Sequence, residues 1–90
     1  IGFLHSSRPL KVDVKFEALA GFHLTETPIS KDQQLIQEDD GSYRLKATLP
    51  DTSQLRWWLL GFGAQVEVLK PLSLREEFKD VFARASKLYK

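Results

Sequence analysis

Leu10-Lys11-Val12-Asp13-Val14-Lys15-Phe16 decides the fold. Leu10, Val12, Val14 and Phe16 alternate with Lys11, Asp13 and Lys15. This period of two gives a strand with one apolar and one polar face. Working outward, Glu17 to Leu24 reads as a short helix, weakened by Gly21 and closed before Pro28. Two further runs, Gln33 to Glu38 and Ser42 to Leu49, flank Asp39-Asp40-Gly41. Asp-Gly between such runs predicts a tight hairpin in which both turn residues adopt positive φ. In the second run Tyr43, Leu45, Ala47 and Leu49 face one way, and Ser42, Arg44, Lys46 and Thr48 the other.

Pro50 stops that strand, and Asp51 is predicted to cap the next helix, with Gln54 completing a capping box. The helix runs from Ser53 to Leu60 and stops at Gly61, with Gly63 behind it. Leu55, Trp58, Leu59 and Phe62 share its inner face. A fourth strand, Gln65 to Leu69, ends before Pro71. Ser73-Leu74-Arg75-Glu76 predicts a second capping box. The last helix carries Leu74, Phe78, Val81, Phe82, Ala85, Leu88 and Tyr89 on one stripe.

The order is strand, helix, strand, strand, helix, strand, then an additional helix. The first six elements are those of an α+β, ferredoxin-like βαββαβ sandwich. Both helices are then expected on one face of an antiparallel sheet of order 4-1-3-2.

Length and composition agree with this reading. Ninety residues, 42% hydrophobic and 28% charged, suit one globular domain and exclude a disordered tail or a collagenous chain. The longest apolar run falls short of the ~18 residues of a membrane helix. A chain without cysteine has no disulfide or thiolate chemistry, which fits a cytoplasmic location. A net charge of +1 gives no global pull toward nucleic acid or membrane. Position 1 is not methionine, so the chain is expected to be a piece of something longer.

Two surfaces ask for an explanation. The face of the sheet away from the helices is expected to show Lys11, Lys15, Arg44 and Lys46 around Asp13, with Gln65 and Glu67 beyond. A solvated sheet face accounts for such a pattern, and so does a site for an anionic ligand such as a nucleic-acid backbone. No aromatic points outward from the first or third strand, which argues against a free-standing RNA-recognition module. The second surface is the last helix. Burying Leu74, Phe78, Val81, Phe82 and Leu88 approaches ~10 kcal/mol as an upper estimate. That is comparable with the ~5–15 kcal/mol of a whole domain's stability. Either packing within the domain or an interface with another domain or a twin chain satisfies it. Trp57, off the inner face of the second helix, favours an interface.

Catalytic patterns are missing. His5 and His23 lack metal-ligand spacing, Glu38-Asp39-Asp40 is a turn, and Gly61-Phe62-Gly63 ends a helix where a phosphate loop would start one. No enzyme activity, cofactor or metal is expected.

Trp57-Trp58-Leu59-Leu60-Gly61-Phe62-Gly63, Val66-Glu67-Val68-Leu69-Lys70-Pro71 and Leu74-Arg75-Glu76-Glu77, in this order and at these spacings, closely resemble the WCX domain. This is the C-terminal extension of bacterial WYL-domain transcriptional regulators. Asp40-Gly41-Ser42 resembles the family's hairpin turn, and Leu88-Tyr89 its usual final residues. One segment departs: Pro28-Ile29-Ser30-Lys31-Asp32-Gln33 stands where the family often has Pro-Leu-His-Pro-Ser-Gln, so Gln33 matches and the histidine does not. The resemblance implies a ferredoxin-like domain over residues 10–90, with residues 1–9 the tail of a linker from a WYL domain. It further implies a winged helix-turn-helix that binds DNA elsewhere in the full-length chain, homodimerisation, and response to an effector for which nucleic acids have been suggested. On this reading Lys11, Lys15, Arg44 and Lys46 meet an anionic effector, with Gln33 and Arg75 as further candidates. Trp57, Phe78, Phe82 and Tyr89 would form an interface.

Overall fold

A computed structural model describes residues 8–89; His5 and the rest of the expected linker tail lie outside the described residues. The elements in chain order are β1 (Pro9–Phe16), α1 (Ala18–Glu26), β2 (Gln34–Gln37), β3 (Tyr43–Pro50), α2 (Ser53–Leu60), a 3-10 turn (Gly63–Gln65), β4 (Val66–Lys70) and α3 (Leu72–Leu88). The sheet is antiparallel throughout, with order β2-β3-β1-β4. Read from the other edge this is 4-1-3-2, the order expected of the ferredoxin-like sandwich.

The alternation in β1 does what the pattern requires. Val12, Val14 and Phe16 are buried with Leu45, Ala47 and Leu49 of β3 and Val68 of β4. Ala20 and Leu24 of α1 and Leu55 and Leu59 of α2 close over them, in one core with Leu74 and Phe78 of α3. Phe16, Trp58 and Phe62 form an edge-on aromatic group, with the Phe16 and Phe62 rings 5.1 Å apart and those of Trp58 and Phe62 5.3 Å apart. Gly21, which costs α1 helix propensity, has a packing reason. A Cβ there would lie 2.5 Å from Cδ1 of Tyr43, so only glycine lets α1 approach β3 this closely.

Three local expectations are corrected. The cap of α2 is Thr52, whose hydroxyl accepts the Leu55 N–H at 3.1 Å. Asp51 instead binds the Arg56 guanidinium at 2.7 Å, while its own N–H donates to the Arg8 carbonyl. The Ser73 capping box does not form, because α3 starts earlier: extended Pro71 occupies the cap position and Ser73 lies inside the helix. In the hairpin only Gly41 has positive φ, at 89°. Asp40 takes an ordinary conformation and its carboxylate accepts the Ser42 N–H at 2.9 Å. The Glu38 N–H donates to the Ser42 carbonyl at 2.7 Å, so the loop holds three residues, a length at which a single left-handed glycine suffices.

α3 packs against β4. Its first half carries Leu74 and Phe78 into the core, and Glu77 binds Arg56 of α2. Its second half does not reach the core. Every residue from Lys79 to Tyr89 is exposed or half-buried, and the molecule measures 44 × 37 × 20 Å.

Candidate functional site

Cross-strand register places the predicted cations on one face. Lys11 pairs with Thr48, Asp13 with Lys46 and Lys15 with Arg44. Since side chains alternate along each strand, all six point away from the core that holds Val12, Val14, Leu45 and Ala47. Gln34 lies beside Lys46 and Ile36 beside Arg44. Two rows therefore cross the sheet. One reads Gln34, Lys46, Asp13 and Lys70; the other reads Ile36, Arg44, Lys15 and Glu67.

The pairing within this face is uneven. Arg44 grips Asp13 with both arms of its guanidinium, Nε to Oδ1 at 2.5 Å and Nη2 to Oδ2 at 2.8 Å. It also lies 3.8 Å from Glu38. Asp13 is only 7% exposed, so its charge needs this partner. The Arg44 hydrogen bonds hold its carboxyl below the usual carboxylate range against the opposing effect of burial, and the charges of Arg44, Lys46 and Lys70 add to the lowering. Lys15 meets Asp40 at 3.6 Å. Among the described residues Lys11, Lys46 and Lys70 take part in no ion pair.

Lys70 is the residue that strand alternation missed. Val14 pairs with Val68, but Asp13 pairs with Lys70, one step further than regular pairing allows. This irregularity adds a residue to β4 and brings Lys70 beside Asp13. A bulge in an edge strand has no clear sequence signature, although Lys70-Pro71 at its end marks where regular pairing ceases.

Asp32 is the other unforeseen member. One carboxylate oxygen accepts the Thr48 N–H at 3.0 Å and the Ser30 hydroxyl. These bonds, with a further one from the Thr48 side chain, pull its pKa to about 2. Asp32 thereby extends the β2 side of the ladder beyond Gln34 with a side chain.

The remaining candidates stand apart. The Gln33 side-chain oxygen accepts the Ile29 N–H at 2.9 Å, closing the loop before β2. Arg75 donates from Nη1 to Glu67 and to the Val68 carbonyl, each at 2.9 Å, and so ties α3 to the edge strand. Phe78 is buried, and its ring meets that of Phe82 edge-on at 6.3 Å. Phe82 is 38% exposed, Trp57 71%, Leu88 79% and Tyr89 87%. The apolar stripe of α3 thus runs from buried Leu74 and Phe78 through half-buried Val81 and Ala85 to exposed Phe82, Leu88 and Tyr89. No described helix is long and apolar enough to cross a membrane.

Comparison with curated proteins finds no match. The family model of the WCX domain matches residues 8–86, which spans β1 to the last turns of α3. This coverage agrees with the strand order and with the Trp57-to-Pro71 and Leu74-to-Glu77 motifs, and the chain belongs to the WCX-domain family, the C-terminal extension of WYL-type regulators.

Proposed function

We propose that this domain is a regulatory module of a bacterial WYL-type DNA-binding transcriptional regulator that works in the cytoplasm and performs no catalysis. In the full-length protein a winged helix-turn-helix contacts DNA, a WYL domain neighbours this one, and α3 helps to join two copies into a homodimer. The observation that carries the reading is the exposed apolar end of α3. Phe82, Leu88 and Tyr89 continue the stripe that buries Leu74 and Phe78, yet stand exposed. Large apolar and aromatic side chains grouped on one ridge are the usual core of an interface.

The basic sheet face supports a second contribution, the sensing of an anionic effector, nucleic acid included. The test uses the full-length regulator carrying Lys11→Glu and Lys46→Glu. Effector-dependent promoter response should be lost while DNA binding without effector persists. An unchanged response would leave a pure assembly module. That alternative draws support from Lys15 and Arg44, whose charges are already engaged by Asp40, Asp13 and Glu38.

A further inference from the structure

The open face is not evenly basic, and the unevenness restricts what it can hold. Lys15, Arg44 and Arg75 each have a carboxylate partner. Among the described residues of this face, the cations without one are Lys11, Lys46 and Lys70, and all three line a single concave basin of about 330 Å³ together with Asp13, Asp32, Thr48 and Gln34. Lys46 and Lys70 flank Asp13 on either side in the same cross-sheet row. At a strand spacing of about 4.8 Å their backbones are about 10 Å apart, and Lys11 lies about 7 Å along β1 from Asp13. The bulge in β4 completes this triangle by setting Lys70 opposite Asp13. Neither carboxylate of the basin rejects an anion outright: two hydrogen bonds from Arg44 occupy that of Asp13 at the centre, and Asp32, on the β2 side, turns one oxygen to the Thr48 N–H and the Ser30 hydroxyl, so the three lysines outnumber the acids.

Two further observations concern the kind of anion. No aromatic side chain lines the basin, so a nucleobase finds no stacking partner there. Beyond Asp13 the next row holds Lys15 and Arg44, both paired, beside Ile36 and Glu67. A strand backbone needs a continuous basic track, and this face offers one patch of lysines. We infer that the basin formed by Lys11, Lys46 and Lys70 binds a compact, multiply charged phosphate compound through its phosphate groups, and does not bind a nucleic-acid strand. This inference rests on the anionic-effector reading above and narrows it.

The test is titration of the 90-residue chain with pyrophosphate and, separately, with a short oligothymidylate at one ionic strength, followed by calorimetry and amide NMR. Pyrophosphate should move the Lys11, Thr48 and Lys70 amides. Lys46→Gln combined with Lys70→Gln should weaken it at least about tenfold, whereas Lys15→Gln should change it by less than about twofold. Pyrophosphate binding indifferent to Lys46 and Lys70 would overturn the inference. Tighter binding of the oligothymidylate, with sensitivity to Lys15, would overturn it while preserving the anionic-effector reading. Binding of neither probe at millimolar concentration would overturn both.

Discussion

Replacing Asp13 by asparagine tests how firmly the open face is held. The Asp13 side chain is 10% exposed and that of Arg44 32%. Breaking a fully buried pair from one side costs roughly 3–5 kcal/mol, mostly because the orphaned charge stays in the protein. Arg44 can recover water over about a third of its surface and keeps Glu38 at 3.8 Å. The expected loss is therefore smaller, about 2 kcal/mol. With a urea slope of about 1–1.5 kcal/mol per molar for a small domain, the midpoint should fall by about 1–2 M. Asp13→Asn together with Arg44→Gln should recover part of the loss, since neither charge is then left alone. The pH dependence has a defined sign. The folded-state pKa of Asp13 is depressed, so its contribution is complete above the unfolded carboxylate value of about 4 and disappears as pH falls through the folded value. The wild-type and Asp13→Asn stabilities should accordingly converge in acid. A loss below ~0.5 kcal/mol at neutral pH would refute the reasoning, because it is what an exposed surface pair gives.

Gly21→Ala should destabilise the domain by about 1–2 kcal/mol in thermal or urea unfolding despite its gain in helix propensity, because the new methyl meets Tyr43 at 2.5 Å. Thr52→Ala should cost about 1 kcal/mol through loss of the α2 cap, while Ser73→Ala should stay within ~0.5 kcal/mol because Ser73 caps nothing. Phe78→Ala, in the core, should cost about 3–5 kcal/mol, measurable as a large drop in the unfolding midpoint.

Much of this architecture is legible in the sequence because it follows from periodicity. The alternation of Leu10 to Phe16 and of Tyr43 to Leu49 sets which side chains are buried, and the element order sets the strand order. The face that carries Lys11, Lys15, Arg44 and Lys46 follows from the same alternation. What escaped the reading depends on single hydrogen bonds and on register. Asp51 and Thr52 are both competent caps one residue apart, and the competition of Arg56 for Asp51 decides between them. Ser73 fits a capping box in sequence, yet Pro71 is extended and opens α3 before Ser73 can cap it. Lys70 joins Lys11 and Lys46 only through a bulge that alternation cannot anticipate. The pairing of Arg44 with Asp13 joins residues 31 apart in sequence, a diagonal contact that exists only once β1 and β3 are in register.

Sedimentation equilibrium of the chain, with and without Leu88→Glu and Phe82→Glu, tests the central claim most directly. The wild-type chain should self-associate with rising concentration, and both substitutions should abolish this while circular dichroism remains that of the folded domain. A wild-type chain that stays monomeric at high concentration, or association indifferent to both substitutions, would contradict it.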